Sequence, residues 1–436
     1  MKFRLRVLLL LFLLSIITYI DRVCISVAGP RMQQDLGITP ERWGWVVGAF
    51  TLSYAAFEIP SGALADKLGA RSVLTRIVLW WSIFTSLTGA VSNFFLLLLV
   101  RFCFGAGEAG AYPGSTSAVA RWFPPRERAR ATSVFWMASR LGGVLAPILV
   151  VAIQQRHGWR ASFYVFGILG VLWCAVWYWW YRDHPTLKPG ISESELHEIG
   201  AGSISEHTSL PWGIALRQWN YWKILLMYHT YCWGGYFYLS WLHTYLQKGL
   251  GFSENEMAIW STLPFLFGAC GNLVGGYTSD LLIKRRGLSF GRRSVGAAGL
   301  ALSGIFMLLT SQTDNKQLAV IFLALGYGSM DCMLPVSWAV CMDVGGKFAG
   351  AISGSMNMAG QLGSFFTSIV FGYVVAATHS YNAPLLYMGV MLLVSALLFV
   401  RIDPTQPLIR EDDARNLSRA TPPISASAPA APRSGT

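Results

Sequence analysis

Charged residues are scarce in this sequence of 436 residues, and acidic residues are scarcer than basic ones. Asp, Glu, Lys and Arg together make up 13% of the chain, whereas hydrophobic residues make up 53%. This composition excludes an ordinary soluble domain and is typical of a membrane protein with several spans. Because one helical span takes about 20 residues, the chain has room for roughly a dozen of them.

The sequence also lacks the spacings that mark catalytic or metal-binding sites. Its seven cysteines lie within apolar stretches and have neither disulfide nor zinc spacing, so we interpret them as small core residues. We find no nucleophile–base pair, phosphate-binding loop or appended soluble domain. We therefore expect no enzymatic activity, no metal and no other cofactor, with a membrane-embedded enzyme or sensor as the remote alternative.

The apolar stretches predict an all-α polytopic membrane protein with twelve transmembrane helices, arranged as two pseudo-symmetric six-helix bundles. The first stretch begins like a signal peptide, but it continues to Ala28 without a clear cleavage site. We therefore interpret it as the first span. The predicted spans are 7–28, 43–64, 73–92, 94–119, 131–154, 160–181, 222–247, 256–278, 293–311, 317–342, 348–377 and 383–402.

A polar stretch in the middle of the chain separates the two predicted bundles. Residues 182–221 form the longest internal polar segment and are predicted to be a central cytoplasmic loop. The N-terminal bundle is expected over 1–181 and the C-terminal bundle over 222–403. Residues 404–436 are rich in Pro, Ala and Ser, which predicts a disordered cytoplasmic tail.

Basic residues are distributed unevenly between the predicted loops. With the N-terminus inside, eighteen Lys and Arg lie in the inner segments and six in the outer loops. This excess predicts that both termini of the multi-pass membrane protein face the cytoplasm. The net charge of +12 follows the same pattern, so the expected surroundings are a lipid bilayer and not a nucleic acid.

The two halves of the chain repeat short motifs in corresponding places. Gly62-x-x-x-Asp66 at the end of the second span matches Gly276-x-x-x-Asp280 at the end of the eighth. Met137-Ala-Ser-Arg-Leu-Gly142 in the fifth span matches Met358-Ala-Gly-Gln-Leu-Gly363 in the eleventh. Parallel repeats of six spans indicate a substrate site between the halves, near the middle of the bilayer.

Two opposite charges interrupt the apolar stretch 94–119. Arg101 and Glu108 are seven residues apart, so they lie within about 20° of each other on one helix face. A charge near the middle of a bilayer costs roughly 2.5–3.5 kcal/mol on insertion scales. The two charges therefore indicate a polar interior, either as a structural ion pair or as part of a pathway for ions or substrate.

The loop after the second predicted span is specific enough to indicate a family. It reads Gly62-Ala-Leu-Ala-Asp66-Lys67-Leu-Gly69-Ala-Arg71 and resembles the signature loop of the major facilitator superfamily. The resemblance implies the twelve-helix major facilitator fold, with a conformational latch on the cytoplasmic side. The latch residues so implied, with the second-half match, are Gly62, Asp66, Gly69, Arg71 and Asp280.

Five further motifs narrow the resemblance. They are Tyr19-Ile-Asp21-Arg22, Arg101-Phe-x4-Gly107-Glu108-Ala109, Trp122-Phe-Pro-x2-Glu127-Arg-Ala-Arg-Ala131, Tyr236-Phe-x-Leu-x-Trp241-Leu-x2-Tyr245-Leu246 and Gly350-x3-Gly354-x2-Asn357-x2-Gly360-Gln361-Leu-Gly363. Over residues 15–400 the chain thus resembles the anion:cation symporter family. Its members include bacterial permeases for sugar acids and phthalate, sialin and the vesicular glutamate transporters. The motifs specify the family but not the substrate.

This resemblance implies that Arg22 binds the carboxylate of the substrate. The chemistry agrees, because an arginine is always charged and its forked donors hold a carboxylate at two points. The alternative is that Arg22 only neutralises Asp21 or Glu108. Asp21 and Glu108 are the candidate proton carriers, with Arg101 modulating Glu108, since a carboxyl group in a low-dielectric interior can bind a proton near neutral pH.

Several hydroxyl, amide and aromatic side chains are candidates for contact with the body of the substrate. Glu58, one turn after Tyr54, is either a third protonatable group or a partner for a base on the cytoplasmic side. The tryptophans also fit ordinary core packing. Besides Arg22, the candidate substrate-binding residues are Tyr19, Tyr54, Ser139, Arg140, Tyr236, Trp241, Trp338, Asn357 and Gln361.

Three positions depart from the family pattern. Ser139-Arg140 stands where the sugar-acid permeases tend to have Gln-Tyr. Arg140 either forms a structural pair with Asp331, which matches no family position, or selects the substrate by binding a second carboxylate. His243 replaces an expected proline, and this residue or His229 serves either in packing or in proton transfer.

We therefore expect a monomeric, proton-coupled importer of a small organic anion in the bacterial inner membrane. The expected substrate is a sugar acid such as a hexuronate, galactonate or glucarate, and the expected mechanism is alternating access. Importing one negative charge into a negative-inside cell costs about 2.3 kcal/mol per 100 mV. One co-transported proton cancels that cost, and a second makes uptake favourable. The alternatives within transport are an organic-anion exchanger or exporter and an aromatic-carboxylate permease, with Na⁺ as the alternative driving ion.

Overall fold

The computed structural model describes residues 2–199 and 211–408 of the chain. Two of the predicted latch residues, Gly62 and Asp66, fall outside the described side chains, and most of the predicted tail falls outside the described residues. The backbone alone is described at residues 59, 62–67, 125, 126, 129, 130, 133 and 347.

The described residues form helices and no strands, and twelve long helical segments dominate the fold. The prediction of an all-α polytopic protein with twelve transmembrane helices is confirmed. Short helices lie in the connections at Pro185–Leu187, Glu193–Ile199, Trp212–Ala215 and Gly346–Phe348. The long segments are α1 (Phe3–Asp35), α2 (Pro40–Leu68), α3 (Ala70–Ala90), α4 (Phe94–Trp122), α5 (Pro125–His157), α6 (Trp159–Trp180), α7 (219–249), α8 (Glu254–Arg286), α9 (Leu288–Gln312), α10 (Lys316–Gly345), α11 (Ala349–Thr378) and α12 (Ala383–Arg401).

Three of the twelve segments are interrupted, and the shortest break lies in α8, at Ser261 between the helices Glu254–Trp260 and Thr262–Arg286. α4 consists of the helices Phe94–Glu108 and Ala111–Trp122, and the break follows Glu108 directly. α7 consists of the helix Trp219–Gly235 followed by three short helical pieces. Irregular backbone at membrane depth is tolerated where other parts of the protein surround it. The breaks in α4 and α7 therefore indicate segments that are covered by neighbouring helices.

The glycines at the end of the repeated fifth- and eleventh-span motif let two pairs of helices approach closely. A Cβ atom at Gly142 of α5 would lie 2.7 Å from the carbonyl oxygen of Ile16 and 2.8 Å from the Cβ of Tyr19, both on α1. A Cβ atom at Gly363 of α11 would lie 3.4 Å from the Cβ of Cys232 on α7. Small residues permit such close helix contacts in membranes. The repeat in the sequence therefore marks an equivalent contact in each half.

A second equivalence lies at the turns after α2 and α8. Gly69 joins α2 to α3 with a φ of +83°, and Gly287 joins α8 to α9 with a φ of +87°. Glycine adopts this left-handed backbone conformation without a steric penalty. The same tight turn therefore closes the predicted latch region in both halves.

Arginine contacts tie each of these turns to its own half. The backbone N–H of Arg71 donates to Asp183 Oδ1 at 3.0 Å, and its guanidinium donates to the carbonyl oxygen of Tyr178. In the second half, Arg292 donates to Asp280 Oδ1 at 3.4 Å and to Asp343 Oδ2 at 2.9 Å. Arg71 and Asp280 of the predicted latch are thus both held by polar contacts.

At the other end of the bundle, polar side chains join the first half to the second. Arg31 donates to both carboxylate oxygens of Glu254, at 2.7 and 2.5 Å, and Gln154 donates to the same carboxylate. Lys248 donates to Gln33 Oε1 at 3.1 Å. We call these five residues the outer cluster, because they lie at the end that the loop charges predict to face outside. It holds α1 and α5 against α7 and α8.

Candidate functional site

Arg22 lies inside an aromatic cage between the helices of the first half. Its side chain is 11% exposed. Because an aromatic ring attracts a cation to its face, such a cage stabilises a charge that has left water. The Arg22 Cζ atom lies 5.8, 5.5, 5.0 and 5.5 Å from the ring centroids of Tyr19, Phe50, Tyr54 and Tyr112.

Glu108 is the carboxylate that contacts Arg22. Arg22 Nε donates to Glu108 Oε1 at 2.5 Å, and the Glu108 side chain is 1% exposed. Glu108 is the last residue of the first helix of α4, so the break in α4 lies directly beside the ion pair. Arg22 Nη2 and Glu108 Oε2 are buried without a hydrogen-bond partner among the described residues. The pair therefore retains one free donor and one free acceptor.

Asp21 is buried next to this pair on α1. Asp21 is 3% exposed, and neither of its carboxylate oxygens has a hydrogen-bond partner in the described part of the chain. Burying an ionised carboxylate without donors is costly. Asp21 is therefore an acid whose surroundings do not hold its charge through hydrogen bonds.

Arg101 lies two helical turns before Glu108 and close to Arg22. Its Cζ atom is 5.0 Å from the centroid of Phe50, the ring that also lies against Arg22, and 4.7 Å from that of Phe104. Within 2–199 and 211–408 it forms no ion pair, although it is 3% exposed. Glu108 thus shares this buried region with two arginines.

Arg140 forms a second buried ion pair, and this one joins the two halves. Its Nη2 atom lies 3.0 Å from Asp331 on α10, and its Nη1 donates to the Tyr327 hydroxyl at 2.8 Å. Asn272 of α8 donates to Asp331 Oδ2 at 3.0 Å. Asp331 is 0% exposed. The structure contains the ion pair that one interpretation of Arg140 predicts. The other interpretation, a role in substrate selection, stays a prediction.

Three of the predicted polar residues lie in the second half. Tyr236, at the break in α7, packs against the hydrophobic cluster of the first half. Asn357 donates to Glu58 Oε1 at 2.5 Å and so links α11 to α2. The Oε1 atom of Gln361 is buried without a partner among the described residues.

Three other predicted residues make contacts that resemble core packing. Ser139 donates to the carbonyl oxygen of Trp136 on its own helix at 2.6 Å. Trp241 is fully buried and stacks on Phe371, with the ring centroids 4.4 Å apart. Trp338 lies 6.1 Å from Trp136 across the two halves. None of these contacts involves Arg22.

Both candidate histidines are bound to neighbouring groups. His243 is fully buried, and its Nδ1 atom lies 2.8 Å from the Ser26 hydroxyl on α1. His229 Nδ1 lies 2.9 Å from the carbonyl oxygen of Ala359, and Trp233 donates to its Nε2. These contacts fit the packing interpretation of both histidines.

Four side chains around the arginines were absent from the predicted site. Tyr112 had a usable signal, since it lies four residues after Glu108 on the same face. Tyr327 likewise lies one turn before Asp331. Phe50 and Asn272 had no such signal in the sequence, because single aromatic or amide residues in an apolar span occur on every face.

Comparison with known proteins agrees with this architecture. The sequence profile of the Major Facilitator Superfamily matches residues 11–368 and 246–430. The chain is 34% identical to the probable sulfoacetate transporter SauU of Cupriavidus necator, over 90% of this chain and 92% of the relative. It is 34% identical to the probable galactarate/D-glucarate transporter GudP of Bacillus subtilis, over 87% of each. The probable L-galactonate transporter of Escherichia coli is 29% identical, over 90% of this chain and 87% of the relative.

Solved structures share the same fold. A bacterial homolog of the human lysosomal transporter Spinster, in an inward-facing and occupied conformation, superposes with a TM-score of 0.74. It is 20% identical, and the match covers 92% of this chain and 97% of the other. The D-xylose–proton symporter gives a TM-score of 0.72 at 16% identity, over 91% and 97% of the two chains. At these identities the likeness concerns the fold alone.

Proposed function

The chain belongs to the Major Facilitator Superfamily, and we propose that it is a proton-coupled symporter that imports small organic anions by alternating access. Family membership makes it a multi-pass membrane transporter and not an enzyme. We further propose that it lies in a bacterial inner membrane with both termini in the cytoplasm. We propose no cofactor besides the driving ion.

The buried Arg22–Glu108 ion pair is the observation that carries this proposal. Arg22 is the group suited to bind a carboxylate, and Glu108 already occupies one of its donors. An incoming anion and the Glu108 carboxylate therefore compete for the same guanidinium. A proton on Glu108 removes that competition, because a neutral carboxyl group no longer forms an ion pair.

In the proposed cycle, proton and substrate enter together. Protonation of Glu108 frees Arg22, which then binds the acid group of the substrate through its fork of donors. On the other side of the membrane, loss of the proton restores the negative charge of Glu108. The re-formed Arg22–Glu108 pair displaces the anion and so favours its release.

Asp21 is the proposed second proton site. Its two buried oxygens lack donors, which suits a residue that alternates between charged and neutral forms. Moving one charge across the membrane potential is worth about 2.3 kcal/mol per 100 mV. A monoanion that enters with two protons carries net positive charge inward, so both the pH gradient and the potential drive its uptake.

Contacts between the halves supply the elements that must open and close. The outer cluster holds one end of the bundle together through Arg31 and Glu254. Nearer the middle, Asn357 binds Glu58, and Arg140 binds Asp331. We propose that the outer cluster breaks when the protein opens outward, while the site around Arg22 stays central.

Relatives support the class of substrate. SauU is named for sulfoacetate, GudP for galactarate and D-glucarate, and the Escherichia coli relative for L-galactonate. These compounds are small, and each carries at least one acid group. We propose a sugar acid or a similarly small organic acid as the substrate of this chain.

Uptake by the purified protein in liposomes tests the proposal. We expect labelled sugar acids to accumulate when the outside is acidic, and a protonophore to abolish that accumulation. Accumulation driven only by Na⁺ would reject proton coupling. Homoexchange without net accumulation would identify an exchanger, and uptake of no organic anion at all would reject the proposed function.

A further inference from the structure

Two buried arginines lie against the same tyrosine ring. The Cζ atoms of Arg22 and Arg140 are 5.8 and 6.0 Å from the ring centroid of Tyr19, so they are at most about 12 Å apart. Tyr19 stands on α1 with Arg22, whereas Arg140 stands on α5. The region therefore contains two cations that share Tyr19 as a neighbour.

This spacing is fixed by the close contact between α1 and α5. Arg140 lies two residues before Gly142, the glycine that packs against Ile16 and Tyr19. Any larger residue at position 142 would push α5 away from α1. The separation of the α1 and α5 backbones beside Arg140 is thus set by close packing and not by a flexible loop.

The Arg140 guanidinium is held in place, but not all of its N–H donors have a partner. Asp331 and Tyr327 occupy Nη2 and Nη1, and Asn272 holds Asp331 from α8. Arg140 Nε has no hydrogen-bond partner among the described residues. A guanidinium has five N–H donors, so Arg140 can bind an acid group while it remains paired with Asp331.

Resting on the organic-anion transport proposed above, we infer that the site is built for small dianions: Arg22 binds one acid group and Arg140 binds the other. The substrate chain then lies alongside Tyr19. Charge-assisted contacts of about 2.8 Å at each end leave room between the arginines for only a few carbon atoms. The inferred class is short dicarboxylates and sulfocarboxylates.

Matched pairs of compounds test this inference on the wild-type protein. Each pair has one dianion and one monoanion of similar shape: galactarate and galactonate, sulfoacetate and acetate, phthalate and benzoate. They compete with the best labelled substrate for uptake into liposomes. We expect the dianion of the preferred pair to compete better by on the order of tenfold or more, since one extra charge-assisted contact has about that effect.

A charge-balanced variant then assigns the effect to Arg140. Arg140→Gln with Asp331→Asn removes both charges together, so no buried charge is left unpaired. We expect it to lower the dianion-to-monoanion ratio by on the order of tenfold. The control Arg160→Gln with Asp35→Asn removes an exposed Arg–Asp pair in the first half and should leave the ratio unchanged.

The outcomes separate this inference from the function on which it rests. Wild-type transport of a monoanion without any preference for its dianion would overturn the inference and leave the proposed function standing. A folded Arg140→Gln, Asp331→Asn protein with an unchanged ratio would also overturn it, and would leave Arg140 as a structural tie between the halves. If no compound of either class is transported, the proposed function fails first.

Discussion

Arg22 and Glu108 lie on different helices, and Arg22 Nε donates to Glu108 Oε1 within an interior that water barely reaches. The proposed anion-binding residue and the proposed proton carrier are therefore partners before either ligand arrives. Each ligand breaks the same contact, the anion by binding Arg22 and the proton by neutralising Glu108. This shared contact gives the two ligands a free-energy coupling, which symport requires.

We expect Arg22→Lys to weaken binding of the preferred anion by on the order of tenfold or more, because lysine keeps the charge but loses the fork of donors. Arg22→Ala should abolish uptake. Thermal stabilisation by the anion measures binding separately from transport. Arg160→Lys, at an exposed arginine outside the cage, is the control. Normal uptake by Arg22→Ala would exclude Arg22 as the anchor.

Glu108→Gln should uncouple transport from the pH gradient. The amide keeps the shape of the carboxyl group but cannot bind or release a proton, so we expect accumulation driven by an acidic exterior to disappear. Exchange of labelled for unlabelled substrate should persist, and its rate should depend less on pH. Asp21→Asn should weaken accumulation in the same way. If Glu108→Gln still accumulated substrate against its gradient, the coupling role would pass to another acid.

The buried Arg140–Asp331 pair makes a prediction about stability. Asp331→Asn alone leaves the buried Arg140 without its acid, which typically costs about 3–5 kcal/mol. Adding Arg140→Gln should recover much of that loss, because the second change removes the unpaired charge. Thermal unfolding of the two single variants and the double variant measures the coupling. Strictly additive losses would mean that the two residues do not stabilise each other.

Breaking the outer cluster should favour opening toward the outside. Arg31 is 38% exposed and Glu254 is 17% exposed, so we expect Glu254→Gln to shift the equilibrium by about 1 kcal/mol. A cysteine in place of buried Ser26, in a protein without other cysteines, reports opening through faster labelling by an impermeant maleimide. Asp35→Asn breaks a different ion pair in the first half and serves as the control. Equal labelling rates would exclude the cluster as a closing element.

Two glycines on α11 should respond differently to one added methyl group. Gly363→Ala forces α11 away from α7, so we expect a loss of about 1–3 kcal/mol from overpacking. A Cβ atom at Gly354 meets nothing within 4 Å, and Gly354→Ala should be neutral or slightly stabilising. Thermal unfolding of both variants tests this. A similar response at both positions would show that close approach at Gly363 is not required.

Most of the fold could be predicted from hydropathy and charge, because the bilayer imposes a long apolar stretch on each span. The ends of the helices were less predictable. The first span was predicted over 7–28, whereas α1 runs from Phe3 to Asp35. Hydropathy detects the part of a helix that crosses the apolar core, but the backbone hydrogen bonds continue beyond it. Similarly, α7 was predicted as one span, and its break at Tyr236 has no hydropathy signal.

The site was predictable residue by residue but not as a set of contacts. Arg22 and Glu108 stood out because charges are rare in apolar spans. Their pairing could not be derived, since periodicity gives the face of one helix and not the neighbour that covers it. Trp241 was predicted to contact the substrate, but its ring stacks on Phe371. Its role could not be predicted because aromatic residues occur on every face of such a helix. The roles of these residues stay predictions.

The equivalence of Gly142 and Gly363 extends to the residues two positions earlier, which are Arg140 and Gln361. Equivalent positions in the two halves thus carry an arginine on one side and a neutral amide on the other. Asp331 balances that charge from the second half, so the departure from two-fold symmetry is an ion pair that crosses between the halves. The architecture is almost two-fold, but this tie between the halves has no counterpart at Gln361, whose Oε1 atom is buried without a partner among the described residues.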